Sequence, residues 1–128
     1  MHHVVIAVAQ HRISPTAALF TDLGFHFSEI ELEDVGLRVL LDWDGGLELV
    51  TPLDDRPGPV RDFLTRHGDG VYSLAVRVAD APGAQAIAAR YGATTTFHQH
   101  RDGDGWALEE IELSVLGLPI TLLSTDLP

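Results

Sequence analysis

No cysteine occurs in the 128 residues. That absence excludes disulfides and thiolate chemistry, and nothing in the composition requires an oxidising compartment. Basic residues are scarce: 8 Lys and Arg stand against 19 Asp and Glu, a formal net charge of −11. A nucleic-acid partner needs a basic stripe to displace counterions, and none is present. An anionic membrane surface would repel the chain for the same reason. Long apolar runs are missing too, and every one falls far short of the ~20 residues that span a bilayer. No signal peptide or transit segment is visible, so a cytoplasmic location is expected. Nucleophile elbow, P-loop and dinucleotide fingerprint are all absent, and "DGDG" is too short for a calcium loop. Small molecules, metals or protein partners remain.

The chain is long enough for one domain with a real hydrophobic core. Its most informative feature is internal repetition. "HVVIAVAQ" from His3 and "SLAVRVAD" from Ser73 are alternating strands of equal length. Each precedes a helix containing Pro and Ala, "SPTAALFTDLGF" and "APGAQAIAARYGAT", that ends at Gly24 or Gly92. Glycine is the cheapest residue for a left-handed cap. Three more strand-like stretches follow each helix. They are "FHFSEIELE", "GLRVLLDW" and "GLELVTP" in the first half, and "TTTFHQH", "WALEEIELSV" and "LPITLLST" in the second. "WDGG" and "RDGDG" mark hairpin turns. Between the halves, "LDDRPGPVRDFLTRHGDG" reads as a Pro/Gly turn, a short helix around Val60 to His67 and a glycine-rich exit.

A βαβββ unit used twice, with "HHVVIAV", "LFTDLGF", "LELVTP" and "HGDGVYSLAVRVAD" in this order, resembles the vicinal oxygen chelate superfamily. That superfamily includes glyoxalase I, methylmalonyl-CoA epimerase, extradiol dioxygenases and bleomycin-resistance proteins. In motifs the chain is nearest to the epimerase and to the 4-hydroxyphenylpyruvate dioxygenase group. The resemblance implies an α+β fold in which two paired βαβββ modules form a curved-sheet cup. The modules would be residues 3–52 and 71–125, joined by a linker helix within 57–70. Open curved sheets leave edges to cover, and the resemblance implies a homodimer.

Strand alternation assigns faces. Val4, Ile6 and Val8 form a bulky row that packs under helices, leaving His3, Val5 and Ala7 opposite. Leu74, Val76 and Val78 do the same in the second half, leaving Ser73, Ala75 and Arg77. The repeat then aligns His3 with Ser73, and Glu48 with Leu122. The superfamily carries metal ligands on the first and fourth strands of each module. His3 and Glu48 fall at those positions and would bind zinc, manganese, cobalt, nickel or iron; a chain without metal is the alternative. Ser73 and Leu122 depart from the pattern, since serine is a poor neutral ligand and leucine is none.

Other candidates leave alternatives open. Arg77 either holds a ligand oxygen with its fork or forms a rim salt bridge. His98 and His100 of "FHQH" share a strand face, as pocket lining, extra ligands or a solvated edge. Glu31 stands where the epimerase resemblance implies a catalytic acid, or on a solvated acidic face. Glu109 and Glu110 are adjacent, so only one faces inward. Trp106 is expected in the pocket wall with Ser73 and Leu122. The resemblance implies one of two functions. One is an isomerase, epimerase or lyase that moves a proton next to a carbonyl, with Glu48, Glu31 and Arg77 as its catalytic groups. The other is a bleomycin-resistance-type protein that binds a small molecule without metal or chemistry.

Overall fold

The computed structural model describes residues 1–128. Strand β1 (His3–Ala7) leads through a 3-10 turn, Gln10–Arg12, into helix α1 (Ile13–Asp22). Strands β2 (Ser28–Leu32), β3 (Leu37–Asp42) and β4 (Leu47–Pro52) come next, then helix α2 (Pro59–His67). The second half repeats this order with β5 (Gly70–Arg77), α3 (Ala81–Ala89), β6 (Thr94–Gly103), β7 (Trp106–Val115) and β8 (Leu118–Thr125). The architecture is α+β, with the βαβββ module used twice. Two compact units result, His3–Tyr72 and Ser73–Pro128 with Met1–His2.

Both helices of the repeat stop in the same way. Gly24 (φ 108°) and Gly92 (φ 79°) adopt the left-handed conformation that a residue with a Cβ avoids. Around them Gly24 N–H donates to Thr21 O and Phe25 N–H to Phe20 O; Gly92 donates to Ala89 O and Ala93 to Ala88 O. These are paired Schellman bonds, and they satisfy carbonyls that the helix end would leave open. Helix α3 also starts firmly, because the Asp80 carboxylate accepts the Gly83 N–H at 3.1 Å.

Within the first unit the strand order is β2-β3-β4-β1, with β1 and β4 parallel. One transverse row reads Ser28, Leu41, Glu48, Val5. In the second unit the order is β6-β7-β8-β5, and the matching row is Phe97, Glu112, Thr121, Ala75. The α1 side of the first sheet buries Val8, Leu40 and Leu49 against Ile13, Ala17 and Phe20. Its opposite side buries Val5, Ala7, Val39 and Val50 against Val60, Phe63 and Leu64 of α2. That helix is thus part of the first unit's core as well as a connection. In the second unit Ile111, Leu113 and Leu122 pack with Ala81 and Ala84 of α3.

Register corrects one alignment. Val5 pairs with Glu48, and its repeat equivalent Ala75 pairs with Thr121. Thr121, not Leu122, is therefore the counterpart of Glu48. Leu122 pairs with Val76 and lies in the α3-side core, so it does not line a pocket on the Ser73 face.

Thr51 is 2% exposed on the α1 side of β4, and its hydroxyl has no hydrogen-bond partner. An unmatched buried hydroxyl costs about 1–3 kcal/mol. Thr51→Val keeps the shape and removes that group. It should raise stability by about 1 kcal/mol, read as a higher urea midpoint at unchanged slope.

Candidate functional site

The first unit's parallel pairing carries His3 and Glu48 onto one face. His3 Nε2 stands 3.4 Å from Glu48 Oε1, with His3 3% and Glu48 18% exposed. Val4 N–H donates to Gly46 O at 3.0 Å, extending the ladder to the first residues of β1 and holding the strand end that carries His3. The Trp43 ring lies 6.4 Å from the His3 ring, tilted by 42°.

A single carboxylate braces the turn that presents Trp43. Asp42, 8% exposed, accepts the His26 N–H at 2.9 Å and the Gly45 N–H at 2.7 Å. Those two bonds, the His26 one foremost, hold its carboxyl below the usual carboxylate range. Space at the turn is tight: a Cβ on Gly45 would collide with the Asp42 carboxylate. Beside it an open cavity of about 500 Å³ is lined by His26, Ser28, Leu41, Asp42, Trp43 and Asp44. Two of these lining residues neighbour the pair, which itself lies outside the lining: Leu41 is the register partner of Glu48, and Trp43 has its ring beside that of His3. Trp43, His26 and Asp42 escaped the sequence reading, in which "WDGG" signalled only a turn.

The second unit builds a different pair at the equivalent place. Ser73 Oγ and Thr121 Oγ1 are 2.7 Å apart, and both residues are under 5% exposed. The ladder also decides between the adjacent glutamates. Glu110 pairs with Leu123 and shares the Ser73–Thr121 side, whereas Glu109 pairs with Ser124 on the α3 side. Gln99 donates to Glu110 at 2.8 Å, and Arg101 donates to Gln99 at 3.1 Å.

Several expected site residues stand elsewhere. Glu31 pairs with Arg38 on the exposed edge strand, on the α1 side of the sheet and away from Glu48. It contributes to an acidic strip with Glu29, which accepts from Arg38 at 2.6 Å. Arg77 donates to the carbonyls of Thr125 and Leu127, so its fork clamps the C-terminal segment. His98 and His100 pair with Ile111 and Glu109 on the α3 side of β6, half exposed. They stand 3.5 Å from Glu109 and 3.6 Å from Asp102. Trp106 covers Gly103 across the hairpin, where an added Cβ would collide with the indole nitrogen.

The donor set does not fit a resident metal. His3 and Glu48 supply one imidazole and one carboxylate, and no group of three His, Cys, Asp or Glu side chains is arranged to hold an ion. The equivalent pair in the second unit consists of two neutral hydroxyls bonded to each other. Structural sites use four protein ligands and catalytic zinc sites three.

The βαβββ module is used twice, and one copy carries an imidazole and a carboxylate at its first and fourth strands. The sequence profile of the glyoxalase/bleomycin resistance protein/dioxygenase superfamily matches residues 2–108, and the chain belongs to that superfamily. Among solved structures, Streptomyces coelicolor methylmalonyl-CoA epimerase is 21% identical with a TM-score of 0.73, covering 99% of this chain and 97% of that one. The Mycobacterium tuberculosis methylmalonyl-CoA epimerase is 26% identical with a TM-score of 0.67, covering 95% and 85%. The 4-hydroxymandelate synthase of S. coelicolor is 19% identical with a TM-score of 0.73, covering 98% of this chain and 48% of that one. No curated protein matches the chain significantly. No helix is long and apolar enough to cross a membrane.

Two substitutions check these assignments. Asp42→Asn should lower the melting midpoint, because the folded state loses a carboxylate favoured over its unfolded counterpart. The sign comes from the lowered carboxyl: its stabilisation is complete above the unfolded range near pH ~4 and disappears as pH falls through the folded value. Acid unfolding should accordingly be less steep in the variant. Arg77→Ala should cost about 1 kcal/mol and speed amide exchange at Leu127.

Proposed function

We propose that the chain is a glyoxalase-like enzyme that moves a proton on a carbon next to a carbonyl, of the isomerase, epimerase or lyase type. The observation that carries this reading is the His3–Glu48 pair, with the ring of Trp43, which lines an open cavity, beside His3. Glu48 takes the proton from the acidic carbon. The C–H electron pair moves into the carbonyl, giving an enolate; delivery of the proton to the former carbonyl carbon gives a 1,2-shift, and delivery from solvent to the opposite face of the original carbon gives epimerisation. His3 is a positioning residue that fixes one carboxylate oxygen. Polar groups lining the cavity, Ser28 and His26, are the candidate donors for the enolate oxygen, where hydrogen bonds matter most.

Relatives support the substrate class. The S. coelicolor epimerase is bound to 2-nitronate-propionyl-CoA, and another methylmalonyl-CoA epimerase to methylmalonyl-CoA. Charge argues for a smaller acyl compound here. The net charge is −11, and Arg12, Arg38 and Arg56 are each paired with a carboxylate. Those guanidiniums are engaged and offer little to the phosphates of a CoA ester. The binding-protein reading draws on a separate observation: the second module's counterpart of the His3–Glu48 pair is two hydroxyls bonded to each other.

The test is proton exchange in D2O, followed by NMR on methylmalonyl-CoA and on its N-acetylcysteamine thioester, which lacks the phosphates. Deuterium should enter the acidic carbon, faster for the small thioester. Glu48→Gln should slow exchange by roughly 10²–10⁴-fold. His3→Gln should reduce the rate less and shift its pH profile. Exchange that ignores Glu48→Gln would remove Glu48 from the mechanism. Saturable binding with no exchange would make the chain a binding protein.

A further inference from the structure

The superfamily resemblance implies metal ligands on the first and fourth strands of each module, and the two registers identify those four positions in this chain. They are His3 and Glu48 in the first module and Ser73 and Thr121 in the second. The first pair is competent to ligate. The second is not, because a neutral hydroxyl is a weak ligand and each of these already has the other as partner at 2.7 Å. Both hydroxyls are also buried, at 3% and 4% exposure, where ionising one to improve it as a ligand would be opposed by desolvation. The change is paired as well as complete: a hydrogen-bonded couple occupies the positions, so neither residue leaves the other unmatched.

We infer that this chain works without a resident divalent metal at these positions, the Ser73–Thr121 couple standing as a neutral replacement for the ligands of the second module. The ligand is then recognised through hydrogen bonds and apolar contacts rather than by chelation, and a compound with a single carbonyl oxygen suffices. This inference does not rest on the proton-transfer reading, since it concerns only what the four positions can hold.

Metal uptake decides it without any measurement of activity. Exposed His98 and His100 lie on one face of β6 with Glu109 and offer weak chelation of their own, so they need a control. Tag-free protein is freed of metal by a chelator and titrated with Co2+ and, separately, Zn2+. The visible absorption of bound Co2+, the metal content after desalting and the melting midpoint are read. The variants are His98→Ala/His100→Ala, His3→Ala and Glu48→Gln. Wild-type protein should retain far less than one equivalent after desalting, with an unmoved midpoint. Any weak Co2+ signal should disappear in His98→Ala/His100→Ala and persist in His3→Ala. One retained equivalent that is lost in His3→Ala or Glu48→Gln overturns the inference. One equivalent that survives every variant is held by neither His3 nor Glu48 and supports the inference, since the four positions are then metal-free.

Discussion

Parallel pairing between the first and last strands of each module is the constraint that governs the remaining architecture. Parallel neighbours cannot be joined by a tight hairpin, so the chain must cross over, and here it does so through a helix and two further strands. The crossover helix takes one face of the sheet and leaves the other to the remaining side chains. Because side chains alternate with period two, the register of that single pairing decides which residues share a face. Val5 opposite Glu48 brings His3 and Glu48 together. Ala75 opposite Thr121 brings Ser73 and Thr121 together in the same manner.

Patterns local to one strand were readable from the chain. The bulky rows of β1 and β5, the glycines that end α1 and α3, and the twofold use of the module all depend on a few adjacent residues. Register between distant strands is different. "ITLLS" holds two successive leucines, so its alternation does not reveal which one faces the helix; pairing with Val76 puts Leu122 there. In β6 a bulge between Thr95 and Phe97 changes the parity of every later residue in the strand, and His98 and His100 emerge on the α3 side. "EIELE" alternates cleanly, yet an exposed edge strand gives no burial signal to say which side is inward. Arg77 finds its partners in two carbonyls near the chain end, which no side-chain pattern announces.

The two modules show how far one scaffold can diverge while its geometry persists. Equivalent positions hold an imidazole–carboxylate pair in one copy and a hydroxyl pair in the other. The backbone fixes where these groups stand and says nothing of their chemistry. An imidazole and a carboxylate belong to the side chains that serve as general acids and bases. A hydroxyl pair orients and hydrogen-bonds, and ionises far too reluctantly to do the same.

His3 is the first residue of β1. Its fixity comes from Glu48 on the neighbouring strand and Trp43 on the turn beyond β3. Asp42 holds that turn through the backbone of His26 and Gly45. Gly46, closing the same turn, receives the Val4 N–H. One buried carboxylate thus connects the end of the first helix loop, the Trp43 turn and the first strand. The turn beside His3 therefore depends on the Asp42 carboxylate, and protonating it weakens that support.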